Sequence, residues 1–119
     1  MTKLYLNTRD ELLRFDVSKI VYFEGDGNYT HIFTVNRLKS TVGINLGLME
    51  KNLSEQLGSR AEGFCRVGKR FIINLNYVFQ VHPNRQQLTL SDCSGFAFQL
   101  NVSKEALKNL KTMMLSIKQ

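Results

Sequence analysis

Three cations stand among apolar residues in the segment Phe64–Asn74, which reads FCRVGKRFIIN. An arginine can donate two parallel hydrogen bonds to O6 and N7 of guanine, and a lysine binds phosphate or guanine as a point charge. Gly68 permits a turn at Val67-Gly68 that would hold Lys69 and Arg70 out from a packed base, with Arg66 beside them. A solvated turn would not need so many apolar neighbours. The segment therefore predicts a turn that binds a polyanion.

Two further polar segments could take part in the same chemistry. The first consists of Asn28, Tyr29, Thr30 and His31, which follow an Asp-Gly pair. These side chains can hydrogen-bond a phosphate or a base edge, although the run also fits an ordinary polar hairpin end. The second is the start of the last predicted helix, where Ser103 is a candidate N-cap and Lys104 adds charge. Free N–H groups and the helix dipole make such a start suitable for a phosphate.

The sequence offers no set of residues suited to catalysis. His31 and His82 fall in different predicted hairpins, and neither lies in a nucleophile or metal-ligand motif. The segment Gly25–Gly27 lacks the third glycine of a dinucleotide fingerprint and leads into a strand. Cys65 and Cys93 are far apart and are expected to be reduced thiols. We expect no enzymatic activity, no cofactor and no metal.

The charge is distributed unevenly along the chain. Residues 1–62 carry eight Lys/Arg and eight Asp/Glu, so the whole formal net charge of +6 belongs to residues 63–119. A basic face on a folded scaffold is typical of proteins that bind polyanions. The apolar fraction of 43% over 119 residues predicts one globular domain, residues 1–119. Without an apolar run of about 18 residues or a signal peptide, we expect a cytoplasmic protein and no membrane partner.

Short alternating runs separated by turn residues predict a mainly β protein with short helices. A hairpin is expected over residues 4–15, followed by strands near 20–23, 30–35, 38–42, 77–81, 87–90 and 96–100. One mid-chain helix is expected from Leu46 to Leu57, with Asn45 as N-cap and Gly58 as its stop. A second, C-terminal helix is expected after Ser103, with Leu107, Leu110, Met113, Met114 and Ile117 among its apolar positions and Lys104, Lys108, Lys111 and Lys118 on its polar face.

Three blocks of the chain, in the same order, resemble the LytTR-type DNA-binding domain, the output module of many bacterial response regulators. The segment Ile20–Tyr29 (IVYFEGDGNY) is similar to the family's I-x-x-I/F-E-A-x-x-N-Y signature. Leu46–Leu53 is similar to its L-x-x-L-E-x-x-L helix, and Phe64–Leu75 to its F-x-R-V-H-R-S-F-L-V-N-L block. Val102-Ser103-Lys104 and Leu107 stand near the expected V-S-R-x-x-L. The resemblance covers essentially the whole chain.

The resemblance implies an elongated arrangement of antiparallel β-sheets whose loops, not a recognition helix, enter successive major grooves of duplex DNA. It also implies a transcriptional regulator that occupies paired direct repeats in a promoter, with two copies on one site that are weakly associated or monomeric when free. Carried over by position, the residues that read DNA are Asn28, Tyr29 and Thr30 in the first loop, Lys69 and Arg70 in the second, and Ser103 and Lys104 in the third.

The chain also departs from the family pattern. Gly68 stands where histidine is frequent, Asn101 replaces a frequent proline, and Glu105 stands where a second basic residue is common. These differences bear on base preference more than on DNA binding. No receiver domain precedes the first block, so we expect a stand-alone regulator with an unknown sensor or partner.

Two alternatives from other classes remain open at this point. An RNA-binding β-module would stack single-stranded bases on exposed aromatic residues, for which Tyr29 is a candidate. A protein-interaction domain would use the C-terminal helix, with Met113 and Met114 as its contact surface.

Overall fold

The structure is a computed structural model that describes residues 2–117. Its longest dimension is 42 Å, against 30 and 27 Å in the other two directions. The strands are β1 (Lys3–Asn7), β2 (Leu12–Asp16), β3 (Ile20–Asp26), β4 (Tyr29–Thr34), β5 (Lys39–Val42), β6 (Phe64–Val67), β7 (Phe71–Asn74), β8 (Val78–His82), β9 (Gln87–Ser91) and β10 (Ala97–Asn101). The two α-helices are α1 (Leu46–Leu57) and α2 (Lys104–Ile117), and four short 3₁₀ turns cover Val17–Lys19, Gly58–Gly63, Leu75–Tyr77 and Pro83–Arg85.

The strands form three antiparallel sheets. The central sheet has five strands in the order β5-β4-β3-β7-β6. A hairpin of β1 and β2 forms a second sheet, and β10-β9-β8 form a third. The expected mainly β fold with a mid-chain and a C-terminal helix is therefore confirmed.

Both faces of the central sheet are covered, which produces two hydrophobic cores. On one face, Phe23 and Ile72 pack with residues of α1 and of the β1-β2 hairpin. On the other face, Val21 and Ile73 pack with residues of the three-stranded sheet and of α2. Every residue of β7 is buried in consequence, as expected for a strand whose two faces are both covered.

The ends of α1 follow directly from two residues. The side chain of Asn45 accepts a hydrogen bond from the N–H of Leu48 at 2.8 Å, and this is an N-cap. Gly58 ends the helix with a φ of 57°, a conformation that glycine adopts without a steric penalty. The predicted apolar positions Leu46, Met49, Leu53 and Leu57 are all buried. The prediction of this helix is confirmed at both ends.

The apolar face of α2 is shorter than predicted. Leu107 and Leu110 are buried and Met113 and Met114 are half-buried, but the side chain of Ile117 is 62% exposed. Ile117, predicted among the apolar positions of this helix, therefore lies outside both hydrophobic cores. Lys118 lies outside the described residues.

One strand boundary also differs from the prediction. The structure continues β3 through Asp26, so the two-residue turn to β4 consists of Gly27 and Asn28. Gly27 has a positive φ of 58°, which glycine adopts readily in such a turn. β4 begins at Tyr29, one residue before the predicted start, and the side chains of Tyr29, Thr30 and His31 alternate between the two faces of the strand.

Candidate nucleic-acid interface

The antiparallel register brings several chain reversals to one end of the central sheet. Glu24 of β3 pairs with Phe71 of β7, and Asp26 pairs with Tyr29 across the Gly27-Asn28 turn. The β6-β7 turn, Gly68–Arg70, therefore emerges beside the end of β3. We call this end the turn edge; it comprises the Gly27-Asn28 turn with Tyr29, the turn Gly68–Arg70, and the adjacent start of α2 at Ser103-Lys104.

The β6-β7 turn has the form that the sequence predicts. Gly68 has a φ of 63°, and the side chains of Lys69 and Arg70 are exposed. Val67 and Phe71, which flank the turn, are 3% and 5% exposed. The two cations are thus held above a packed base, where their side chains can reach a ligand.

Arg70 is oriented by three contacts with its surroundings. Its guanidinium is paired with the carboxylate of Glu24, and its Cζ lies 5.5 Å from the ring centroid of Phe71. Its carbonyl accepts a hydrogen bond from the N–H of Gly25 at 2.7 Å. The side chain is still 64% exposed. Because an arginine has five N–H donors, several remain free for a ligand.

Arg66, in contrast, is engaged within the protein. Its Nη1 lies 3.2 Å from Oε1 of Glu50 on α1, and its Nη2 donates to the carbonyl of Lys69 at 3.0 Å. The guanidinium thus connects α1 to the β6-β7 turn. The sequence analysis places Arg66 with Lys69 and Arg70 as a candidate DNA contact. In the structure its guanidinium is hydrogen-bonded to Glu50 and to the Lys69 carbonyl of the turn.

The start of α2 lies directly against this turn. A Cβ added at Gly68 would be 3.8 Å from Cβ of Ala106 and 4.0 Å from Cγ1 of Val102. Ser103 caps the helix, because its hydroxyl oxygen accepts a hydrogen bond from the N–H of Ala106 at 3.3 Å. Ser103 and Lys104 are both exposed. The β6-β7 turn and the start of α2, which are the second and third predicted DNA-binding loops, are therefore neighbours.

The predicted DNA-binding segment of residues 28–31 has both exposed and buried side chains. Asn28 and Tyr29 are exposed at the turn edge, with 55% of the Tyr29 side chain accessible. Thr30 is fully buried, and its hydroxyl donates to the carbonyl of Ile44 at 2.8 Å. Its predicted role as a DNA contact is corrected here: in strand β4 its side chain points to the opposite face from that of Tyr29, into the core.

His31 has both ring nitrogens occupied by protein groups. Its Nδ1 lies 2.8 Å from Oγ1 of Thr41 on β5, and its Nε2 lies 3.0 Å from Oδ2 of Asp26 on β3. Only 16% of its side chain is exposed. His31 ties three strands together below the turn, and it has little free hydrogen-bonding capacity for a ligand.

A groove of about 760 Å³ runs between the β6-β7 turn and α2. Its apolar lining includes Cys65, whose Sγ lies 3.9 Å from Sδ of Met113. Burial, together with the nearby charge of Glu50, raises the pKa of the Cys65 thiol. The thiol is therefore protonated at neutral pH and a poor nucleophile.

Two carboxylates that were not predicted as site residues, Glu24 and Glu50, form ion pairs with the arginines of this site. Glu24 faces Arg70 from β3, and Glu50 faces Arg66 from α1. Each partner is distant in the chain, so no local spacing identifies these pairs. Among the described residues, no ion pair within 4 Å involves Lys69 or Lys104, whose charges remain available at the turn edge.

Other kinds of site are not found in the described part of the chain. Residues 2–117 contain no group of three or more His, Cys, Asp or Glu side chains that could hold a metal ion. Over the same residues, no helix has the length and apolar character required to cross a membrane.

Comparison with known proteins gives one family and one fold. A family model described as the LytTr DNA-binding domain matches residues 10–115. Among solved structures, the LytTr DNA-binding domain of a putative methyl-accepting/DNA response regulator from Bacillus cereus is similar, with a TM-score of 0.63 at 22% identity over 96% of this chain and 97% of that chain. No curated protein matches the chain. Because the family model covers nearly all of the sequence, the chain belongs to the LytTR family of DNA-binding domains.

Proposed function

We propose that this protein is a bacterial, cytoplasmic transcriptional regulator that binds duplex DNA sequence-specifically through the turn edge. The observation that carries the proposal is the cluster of exposed cations there. Lys69 and Arg70 lie on the β6-β7 turn, and Lys104 begins α2, whose first turn lines a groove against the β6-β7 turn. Two of these cations have no carboxylate partner among the described residues, and so they can neutralise phosphates.

Arg70 is the residue best suited to read a base. The Glu24 carboxylate and the Phe71 ring fix its direction, which reduces the side-chain entropy lost on binding. Its free N–H groups can make the bidentate contact with guanine in a major groove. Asn28 and Tyr29 are the corresponding exposed side chains on the neighbouring turn.

Lys69, Ser103 and Lys104 are suited to phosphates. The free N–H groups at the start of α2 and the positive end of its dipole favour an anion, and Lys104 adds a full charge. Such contacts fix the register of the protein on DNA but carry no sequence information themselves.

The dimensions of the protein are compatible with contacts in successive major grooves. The long axis of 42 Å exceeds the roughly 34 Å of one helical turn of DNA, so a copy whose long axis lies along the duplex would reach two successive major grooves. Direct repeats in a promoter would then place two copies side by side on the same face of the duplex.

The burial of aromatic residues disfavours an RNA-binding module. Among the described residues, the exposed aromatic side chains are Tyr5, Tyr29 and Phe79, and each lies in a different sheet; Tyr22, Phe23 and Phe71 of the central sheet are buried. A stacking platform needs several exposed rings on one surface. The alternative of a protein-interaction domain is similarly weakened at Met113 and Met114, because both side chains pack on the second core.

The test is selection from a random duplex library at two salt concentrations, followed by sequencing. We expect a repeated motif that remains enriched at the higher salt. If binding disappears at the higher salt and no motif is enriched, the protein has only a non-specific basic surface, and the proposal is wrong.

Two variants then distinguish a residue that contacts a base from a residue that contacts phosphate. Arg70→Ala should cost about 1–3 kcal/mol on the selected duplex and relax the preference for one base. Lys104→Ala should weaken binding to all duplexes alike and lower the slope of log K against log salt by about 1. Equal losses on selected and random duplexes for Arg70→Ala would exclude a reading role for Arg70.

A further inference from the structure

We propose that Glu50 and Arg66 form a positioning pair for DNA recognition, in which α1 sets the conformation of the β6-β7 turn. The inference rests on the proposed function. It assigns Arg66 to holding the turn and not to contacting DNA, and it assigns Glu50, an acidic residue on a helix, to the recognition machinery.

Two consecutive carbonyls of the turn are held by groups outside it. The carbonyl of Lys69 accepts from the guanidinium of Arg66 at 3.0 Å, and the carbonyl of Arg70 accepts from the N–H of Gly25 at 2.7 Å. Gly25 lies in β3, so its contribution is fixed by the sheet. Arg66 is a side chain with many rotamers, and it needs a second contact to keep its guanidinium in place.

Glu50 supplies that second contact. Its carboxylate lies 3.2 Å from Nη1 of Arg66, while Nη2 of the same guanidinium reaches the turn. The side chains of Arg66 and Glu50 are 35% and 53% exposed, so water can reach the pair. An exposed ion pair of this kind contributes little to the stability of the fold. Its effect is expected mainly on the direction of Lys69 and Arg70.

The charge of Glu50 makes the inference testable. A carboxylate near a DNA-binding surface repels phosphate, so simple electrostatics predicts that removing the charge strengthens binding to every duplex. If Glu50 acts by positioning, its removal should instead weaken binding to the selected duplex. The two expectations have opposite signs for the same substitution.

The experiment compares Glu50→Gln with Glu55→Gln in the full chain. Both residues lie on α1 and both substitutions remove one negative charge. Among residues 2–117, however, the ion-pair partner of Glu55 is Lys51 on the same helix, at 3.9 Å. Affinities are measured on the duplex selected by the wild-type protein and on a random duplex. We expect Glu50→Gln to lose about threefold on the selected duplex, a size typical of an exposed pair, and to lose nothing on the random one. Glu55→Gln should not weaken either.

A second variant tests Arg66 without changing the net charge. Arg66→Lys keeps the cation but cannot hold Glu50 and the Lys69 carbonyl with one planar fork. We expect the same loss on the selected duplex and an unchanged salt slope, since no phosphate contact is removed. The double variant should be no weaker than the weaker single variant, because the two residues act as one unit. Arg60→Lys, at an exposed arginine that contacts Thr2, is the matched control.

The outcomes separate the two proposals. If the wild-type protein selects no motif, the proposed function is wrong. If it does select a motif and Glu50→Gln binds it as tightly as Glu55→Gln, the positioning role of Glu50 is wrong. If Arg66→Lys binds the selected duplex as tightly as the wild-type protein, the positioning role of Arg66 is wrong. If Arg66→Gln lowers the salt slope by about 1 on both duplexes, Arg66 contacts phosphate and does not act through the turn.

Discussion

The substitution Gly68→Ala tests whether the backbone of the β6-β7 turn controls both stability and recognition. Gly68 has a φ of 63°, and an alanine in this region costs about 1–2 kcal/mol. The added Cβ itself would meet Ala106 at 3.8 Å and Val102 at 4.0 Å, which is ordinary contact and adds no clash. The smaller backbone entropy of an unfolded chain with alanine offsets part of the cost. We expect a net loss of about 1 kcal/mol, or roughly 4 °C in Tm.

Urea unfolding followed by circular dichroism measures this loss, and Gly63→Ala is its control. Gly63 has no positive φ, and a Cβ added there would have no atom within 4 Å, so its replacement should leave stability unchanged or slightly raised. Both variants must show the wild-type m-value for the comparison to hold.

DNA binding gives a second readout of the same substitution. A turn that relieves its strain moves Lys69 and Arg70, so we expect Gly68→Ala to lose affinity for the selected duplex while Gly63→Ala keeps it. If Gly68→Ala is as stable as the wild-type protein and binds the selected duplex normally, the positive φ is not what positions these cations, and our reasoning fails.

Two further predictions concern the elements that support the site. Asn45→Ala removes the N-cap of α1, whose oxygen accepts at 2.8 Å from Leu48, and should cost about 1 kcal/mol in urea unfolding; Asn45→Asp, which keeps an acceptor, should cost much less. Asp92 accepts hydrogen bonds from the N–H groups of Ser94, Gly95 and Phe96, which lower the pKa of its carboxyl to about 2. Because this pKa lies below the unfolded value of 3.8, the ionised carboxylate stabilises the fold above about pH 4, and the contribution disappears as the pH falls towards 2. Asp92→Asn should therefore lower the free energy of unfolding at neutral pH, and its deficit should shrink between about pH 4 and 2; a deficit that is constant with pH would contradict this assignment.

Local chemistry was sufficient to predict much of the fold. The cap at Asn45, the stop at Gly58 and the spacing of Leu46, Met49 and Leu53 define α1 by short-range rules that do not depend on the rest of the chain. The order of apolar and cationic residues around Gly68 likewise predicts a turn with an apolar base, and the structure has one.

Predictions that required knowing which face of a strand a side chain occupies were less accurate. Thr30 and Tyr29 are adjacent and both polar, yet one is buried and the other is 55% exposed. β3 was predicted to end too early, and residues 28–31 were grouped as one ligand-binding segment although the next strand was predicted from residue 30, so the alternation of side chains was not applied to them. Ile117 continues the apolar pattern of α2 but is exposed, because a pattern along the chain does not show how far tertiary packing extends along a helix.

The sequence by itself determined the family, the two helices, the mainly β architecture and the concentration of positive charge in the second half of the chain. These properties follow from residue type and short spacings, which act before the chain is folded. Only the tertiary structure decided which cations face outwards. Arg66 and Arg70 are four residues apart and chemically alike, but one is turned to Glu50 and the carbonyl of Lys69, while the other is oriented for solvent beside Glu24. Their carboxylate partners, Glu50 of α1 and Glu24 of β3, come near the turn only when the helix packs on the folded sheet. No local pattern in the sequence therefore predicts these ion pairs.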